Sequence, residues 1–156
     1  MATQTYECVV VPVDFTADSL AAVNEAFKHI DRPENIRVVH VLPPVDPNEF
    51  ESVWTPLAPE VRIDETRRAL QSLCPSGVEV HVVLGETATA VAEFAQQHGA
   101  DLVVIAARPR TGLARFFRFG SISEQLVRLC ECPVLVLRAA KSPSLRPSRL
   151  PQLAVR

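Results

Sequence analysis

The 156-residue chain lacks the motifs that mark several large functional classes. It has no Gly-x4-Gly-Lys-Ser/Thr phosphate loop, no Ser/His/Asp set for nucleophilic hydrolysis and no cluster of metal-ligand residues. Because nothing in it names a reaction, we expect neither catalysis nor a bound metal. Weak ATP hydrolysis or group transfer stays open as an alternative, although no base or metal ligand for it stands out.

The cysteines also lack a metal-binding pattern. There are four, none in Cys-x2-Cys spacing, and each lies in or beside an apolar run: Cys8, Cys74, Cys130 and Cys132. Apolar surroundings of this kind favour buried free thiols. Redox sensing and metal binding, for which Cys130-x-Cys132 is a weak signal, stay open as alternatives.

Long apolar runs are missing too. None approaches the roughly 18 residues that a membrane-spanning helix needs. The first seven residues, Met-Ala-Thr-Gln-Thr-Tyr-Glu, carry neither the basic nor the apolar region of a secretory signal peptide. We therefore expect a cytoplasmic protein with no membrane partner, and the length fits one domain with one core.

Positive charge is concentrated in two segments that contain no acidic residue. Of the 16 Lys and Arg residues, four arginines lie within residues 106–123 and four basic residues within residues 139–156. Any attraction of anions is therefore local to these segments, and we do not expect nucleic-acid binding. Because residues 139–156 also hold three prolines, we interpret them as a basic tail that follows a domain spanning residues 1–138.

The apolar pattern predicts five strands separated by four helices. Short β-branched runs that are continuous rather than alternating are typical of strands buried on both faces of a parallel sheet. We assign the strands to residues 8–13, 36–42, 78–84, 101–105 and 133–138. The β-α-β-α-β-α-β-α-β order favours an α/β fold with right-handed crossovers.

The segments between these strands contain residues that favour a helix N-terminus and apolar residues at helical spacing that are expected to face the core. Thr16 or Asp18 is the expected cap of the first helix. The second helix, residues 57–73, has three inward candidates: Val61, Leu70 and Leu73. Four residues of the last helix are expected to be at least partly buried: Ile122, Leu126, Val127 and Leu129. His40 and His81 lie in strands, and we expect their side chains to be satisfied within the core.

The segment of residues 106–124 is the main candidate for a binding site. It follows an apolar strand, carries Arg108, Arg110, Arg115 and Arg118, and ends in a helix entry at Gly120-Ser121. A strand, a basic loop and a helix N-terminus in this order suit an anion. Ser121 and Glu124 also fit a capping box, so two plainer interpretations stay open: Ser121 as a helix cap alone, and the arginines as a solvated surface.

Six ordered pieces of the chain resemble the universal stress protein family. They cover residues 6–138 and leave the tail outside. They are Val-Val-Pro-Val-Asp at 10–14, Gly-Glu at 85–86 before a helix, Ala-Asp-Leu-Val-Val-Ile at 100–105, Arg-Thr-Gly-Leu at 110–113, Gly-Ser-Ile-Ser-Glu at 120–124 and Cys-Pro-Val-Leu-Val at 132–136. On these residues the chain is identified as a member of the family.

The resemblance implies the fold of that family, which is adenine nucleotide alpha hydrolase-like. It has three layers, with a five-stranded parallel sheet of order 3-2-1-4-5 and helices on both faces. The resemblance also implies a homodimer in which the last strands of two copies pair, here through Val134, Leu135, Val136 and Leu137. Pairing would also cover a short apolar edge that is otherwise open to aggregation.

The resemblance and the topology imply a binding crevice at the same place. In such a sheet the strand order reverses between the first and fourth strands, and ligands bind beyond their carboxyl ends. The family implies an adenine nucleotide, ATP or AMP, or another phosphate there, with Asp14 beside the nucleoside and the Val41 backbone at the adenine. The site residues expected on this basis are Pro12, Val13, Asp14, Val41, Ala106, Arg108, Arg110, Gly120, Ser121 and Ile122. A purely structural role for Asp14, as an acceptor for loop amides, stays open.

The glycine pattern of nucleotide-binding members is only partly present. That pattern is Gly-x-x-Gly, nine residues, then Gly-Ser or Gly-Thr. Here Ala106 and Pro109 replace the first two glycines, and ten residues separate Pro109 from Gly120. Pro109 has no N–H, and Ala106 adds a Cβ where the backbone would approach a phosphate. Two functions therefore stay open: a dimeric stress-response module that binds a nucleotide or phosphate, and an interaction module for an unknown protein partner that binds neither.

Overall fold

The structure is a computed structural model that describes residues 5–44, 59–107 and 122–138. Its strands are β1 (Val9–Pro12), β2 (Ile36–Leu42), β3 (Glu79–Leu84), β4 (Leu102–Ala107) and β5 (Val134–Arg138). Its helices are α1 (Ala17–Ala26), α2 (Pro59–Leu73), α3 (Thr87–Gln97) and α4 (Ile122–Leu129). Two short 3-10 helices, Phe27–His29 and Pro33–Asn35, lie between α1 and β2.

All five strands are parallel and pair in the order β3-β2-β1-β4-β5. This confirms the predicted α/β class and the strand order that the family resemblance implied. β1 is the centre of the sheet, since Val9 pairs with Ile36 on one side and with Leu102 on the other. The chain runs outward from β1 to β2 and β3 and returns to β4 on the far side, so the strand order reverses beside β1.

Two apolar layers cover the two faces of the sheet. On one face Val9 packs with Val23 of α1 and Leu70 of α2, and on the other Val10 packs with Phe94 of α3. Successive residues of a strand point to opposite faces, so a strand covered on both sides must be apolar throughout. A fully buried valine contributes about 1.5 kcal/mol or more, and the short β1 therefore anchors both layers.

The two outer helices bury less than the apolar pattern predicts. On α2 Leu70 is fully buried, whereas Val61 is 41% and Leu73 is 50% exposed. On α4 Val127 is 58% and Leu129 is 49% exposed. These four predictions were wrong. Because α2 packs on the edge strand β3 and α4 packs mainly on α3, each helix meets the core along a narrow stripe.

All four cysteines are free, as expected. Cys8 is buried and the other three are half-buried, and burial raises the pKa of each thiol, which keeps the thiols protonated near neutral pH. Within the described ranges, no group of three or more His, Cys, Asp or Glu side chains is arranged to hold a metal ion. In the same part of the chain, no helix is both long and apolar enough to cross a membrane.

A histidine pair joins the edge strand β3 to α3. The centroid of the His81 ring lies 4.9 Å from that of Phe94 and 5.5 Å from that of His98. Its Nε2 atom lies 3.4 Å from Glu79 Oε2, and the Nε atom of Arg37 on β2 lies 3.2 Å from the same oxygen. Burial lowers the pKa of His81, the nearby Glu79 carboxylate opposes that shift, and positive charge on His98 and Arg37 adds to it.

We predict that this cluster makes the fold less stable in mild acid. Because the pKa of His81 is lower in the folded than in the unfolded chain, the unfolded chain binds more protons below about pH 6.5, and stability falls as the pH drops. Urea unfolding between about pH 7 and 5.5 should show this loss, and His81→Gln should reduce its slope. Gln71→Ala, an exposed change on α2 that removes no titratable group, should keep the slope. An unchanged slope in His81→Gln would contradict the prediction.

Candidate functional site

The end of β1 is fixed by contacts with β2. The Val13 N–H donates to the Val39 carbonyl at 2.9 Å, and His40 Nδ1 lies 2.7 Å from the Val13 carbonyl oxygen. Because a carbonyl oxygen only accepts, this contact requires the proton on Nδ1. The interaction satisfies His40 within the fold, as expected, and it holds Val13 where the chain leaves the sheet.

Beyond Val13 the chain turns sharply into α1. Phe15 has a φ of +64°, a left-handed conformation that is unusual for a residue with a Cβ. The ring of Phe15 meets that of His40 edge-on, with the centroids 4.8 Å apart. This packing offsets part of the backbone strain, and the turn places Asp14 and Thr16 at the carboxyl edge of the sheet.

Three side chains of this turn bond to one another. Thr16 is the N-cap of α1, with Oγ1 accepting from the Ser19 N–H at 3.3 Å, which confirms one of the two predicted caps. Asp14 Oδ1 accepts from the Thr16 N–H at 3.2 Å and from the Thr16 hydroxyl, and Ser19 Oγ accepts from the Asp14 N–H at 3.2 Å. Asp14 therefore holds a loop amide, the structural role that the sequence left open. The role of Ser19 was missed, although a serine three residues after a capping threonine is the signal that would have found it.

A cavity of about 370 Å³ opens between the ends of β1 and β4. This volume lies within the range of roughly 300–1,000 Å³ that is typical of small-molecule sites. Its described lining comprises Pro12, Val13, Asp14, Thr16, Asp18, Ser19, Thr87, Ile105, Ala106, Ala107, Ile122 and Ser123. The cavity lies where the strand order reverses, which is where open α/β sheets bind ligands.

Five of the ten predicted site residues line this cavity. They are Pro12, Val13, Asp14, Ala106 and Ile122. Val41 is not part of the described lining. Its side chain packs against the core, and the contact expected of its backbone stays a prediction. The other four lie outside the described residues, so their place at the site stays a prediction: Arg108, Arg110, Gly120 and Ser121.

Three helices begin at this cavity, and helix N-termini attract anions.

α3 begins with a cap that the sequence pattern did not reveal. The Glu86 carboxylate accepts from the Thr89 N–H at 2.9 Å and from the Ala88 N–H at 3.3 Å, and the bonds from Thr89 contribute most to lowering its pKa. This cap was missed because glutamate is not among the residues that usually occupy the N-cap position.

The described wall of the cavity combines a largely apolar surface with a few hydroxyl and carboxylate groups. It carries the hydroxyls of Thr16, Ser19, Thr87 and Ser123. It also carries the carboxylates of Asp14 and Asp18, and the lining residues that the structure describes include no Lys or Arg. Hydroxyls and carboxylates suit a ligand with several hydroxyl or amino groups. A cation at this site would have to come from a part of the chain beyond the described ranges, as the predicted Arg108 and Arg110 do.

A second cavity, of about 350 Å³, lies between α3 and α4. Gln96 and Cys130, among its lining residues, place it at the C-terminal ends of two helices, where the helix dipole disfavours anions. Burial raises the pKa of Cys130 and Cys132 in this lining, which makes both thiols poor nucleophiles and metal ligands. We therefore take the crevice between β1 and β4 as the candidate site.

Comparison with known proteins points to one family. A sequence model of the universal stress protein family matches residues 5–138. Universal stress protein MJ0531 of Methanocaldococcus jannaschii is 31% identical to this chain over 150 residues, which cover 87% of this chain and 84% of that protein.

Solved structures share the fold. Hypothetical protein MJ0577 superposes with a TM-score of 0.60 at 20% identity, covering 88% of this chain and 99% of that one. A universal stress protein in complex with cAMP superposes with a TM-score of 0.56 at 22% identity, covering 87% of this chain and 99% of that one. At these identities the two structures establish likeness of fold.

We predict that Thr16→Ala weakens the turn that forms one wall of the cavity. The substitution removes the cap of α1 and the hydroxyl that donates to Asp14, and loss of an N-cap side chain costs about 1 kcal/mol. Urea unfolding should report a loss of roughly 1–2 kcal/mol. Thr66→Ala, which lies in the interior of α2 rather than at a helix end, should change stability little. Equal losses in the two variants would contradict the role given to Thr16.

Proposed function

This chain belongs to the universal stress protein family, and on that basis we propose that it is a stress-response module that binds an adenine nucleotide in the crevice between β1 and β4. The observation that carries the proposal is the cavity of about 370 Å³ at the reversal of the strand order, lined by five of the residues that the family resemblance indicated. The universal stress protein of the same fold in complex with cAMP supports an adenine nucleotide as the ligand.

In this proposal the nucleoside and the phosphate meet different parts of the chain. The nucleoside lies beside Asp14, whose neighbours in the wall supply hydroxyl groups. The phosphate meets Arg108 and Arg110, whose charge-assisted hydrogen bonds replace the amide donor that is lost at Pro109. The Gly120-Ser121 pair, which precedes Ile122 in the sequence, completes the contact in this proposal.

We propose that the protein acts by binding and not by catalysis. A general base must be able to reach the proton that it removes. Asp14 accepts two hydrogen bonds from Thr16 that fix its carboxylate in the turn, so it serves better as a positioning group. No metal is part of the proposal. The free thiols suit a reducing compartment, and we place the protein in the cytoplasm.

A second candidate function is an interaction module that binds a protein partner and no nucleotide. One observation favours it: the described wall of the crevice carries Asp14, Asp18 and the methyl group of Ala106, a combination less suited to phosphate than glycine backbone. The two functions differ in one measurable property, the affinity of the crevice for a nucleotide.

Thermal unfolding in the presence of AMP, ATP and cAMP tests the proposal. At a ligand concentration about 100 times the Kd, bound nucleotide stabilises the folded chain by about 2.7 kcal/mol, which raises the Tm by roughly 5–10 °C. We expect such a rise with at least one of the three. No rise with any of them at millimolar concentration would contradict nucleotide binding and favour the interaction module.

Arg110→Glu tests the part given to the basic loop. Reversal of a charge beside the phosphate should lower the affinity for AMP about tenfold or more. Arg68→Glu makes the same change of charge at an exposed position of α2 and should leave the affinity unchanged. If all three proteins bind AMP equally well, the loop has no part in the site.

We also propose that two copies of the chain pair through β5. This strand is the outer neighbour of β4 at the edge of the sheet, and Val136 at its middle is 41% exposed. An apolar edge strand with unpaired backbone groups is a template for a second strand. Pairing would place Val134, Leu135, Val136 and Leu137 at the interface.

Val136→Pro tests the dimer. The Val103 N–H donates to the Pro133 carbonyl at 3.0 Å, and the alternation of parallel pairing then turns the Val136 N–H away from β4. Val136→Pro removes that outward donor and should yield monomers, whereas Val136→Thr keeps it and should remain dimeric. Sedimentation equilibrium measures the mass, and a monomer mass for the unaltered chain would refute the proposal.

A further inference from the structure

The helices that begin at the crevice carry acidic groups where they begin. Asp18 lies in the first turn of α1, Glu124 lies in the first turn of α4, and the Glu86 carboxylate caps α3. A carboxylate at a helix N-terminus offsets the partial positive charge, about half an elementary charge, that would otherwise attract an anion. Glu124 forms an ion pair with Arg128 at 3.0 Å, which balances its negative charge. Among the described residues, the carboxylates without a positively charged partner of this kind are therefore those at the beginnings of α1 and α3.

Asp18 differs from the other carboxylate in the cavity wall. Asp14 is bound within the turn through the N–H and hydroxyl of Thr16. Asp18 is half-buried, lines the cavity and has no hydrogen-bond or ion-pair partner within the described ranges. Asp18 is therefore the carboxylate of this wall whose oxygens are open to a ligand.

A carboxylate in this position discriminates between ligands by their charge. It accepts hydrogen bonds from hydroxyl or amino groups such as those of a ribose. It repels phosphate, and the repulsion grows with every negative charge that the ligand adds. In the proposed function Arg108 and Arg110 offset the charge of one phosphate. The further negative charges of a nucleoside triphosphate have no such partner in the proposal and are repelled by the Asp18 carboxylate.

We propose that this crevice selects a nucleoside with at most one phosphate over a nucleoside triphosphate, and that Asp18 is the residue that determines this selectivity. The inference rests on the proposed function, the binding of a nucleotide in the same crevice. The sequence agrees with it, since Pro109 supplies no backbone N–H where nucleotide-binding relatives have a glycine.

Isothermal titration calorimetry of the full chain with adenosine, AMP and ATP tests the selectivity. The unaltered protein should bind AMP at least about tenfold more tightly than ATP, and high salt should narrow the gap because it screens the repulsion. Asp18→Asn should raise the affinity for ATP about tenfold and that for AMP less than about threefold. Asp31→Asn, the same change beyond the opposite end of α1, should alter neither. Asp18→Ser serves as a second variant that keeps a good residue for a helix start.

The outcomes separate the inference from the proposed function. Binding of ATP as tight as that of AMP, or an ATP affinity that Asp18→Asn and Asp18→Ser leave unchanged, overturns the selectivity while nucleotide binding stands. No binding of any of the three ligands overturns the proposed function and the selectivity with it. Equal gains in ATP affinity for Asp18→Asn and Asp31→Asn would show an effect of net charge alone and would also overturn the part given to Asp18.

Discussion

The parallel pairing of β1 with β2 on one side and β4 on the other is the constraint on which the rest of the molecule depends. Val9 pairs with Ile36 and with Leu102, and the whole of β1 is buried. Because the chain leaves β1 in one direction and returns on its far side, the loops after β1 and β4 separate and open a crevice between them. The same pairing brings the beginnings of α1, α3 and α4 to the crevice. The position of the candidate site thus follows from the burial of one short strand.

The turn after β1 serves the fold and the crevice together. Thr16 caps α1 and donates to Asp14, and both residues line the cavity. A turn held in this way gives a ligand a wall that is already ordered, which lowers the entropic cost of binding. The same residues limit the chemistry of the site, because a carboxylate that secures its own turn is poorly placed to transfer protons. Asp18, in the first turn of α1, lines the same cavity.

Much of the fold could be predicted because β1, β2 and β4 coincide with continuous apolar runs. Such a run can be recognised in the sequence without knowing which strands lie beside it in the sheet. The order of the strands required the family resemblance, since periodicity does not say which strands pair. Predictions failed where burial depends on position in the sheet: Leu73 and Leu129 continue an apolar stripe, but their helices lie at the margins of the core. At the site, the family resemblance indicated Asp14 and Ala106, and both line the cavity. The Glu86 cap and the place of Asp18 in the wall were not predicted, because they depend on geometry that short patterns do not encode.

The most direct measurement of the central claim, that the ligand site is the crevice between β1 and β4, is a titration of the 15N-labelled chain with AMP followed by NMR. We predict that the amide resonances of Asp14, Thr16, Ser19 and Ala106 shift together with one dissociation constant. Resonances of the second cavity, between α3 and α4, should stay in place, those of Glu93 and Gln96 among them. Shifts confined to that second cavity, or none at all at millimolar AMP, would contradict the claim.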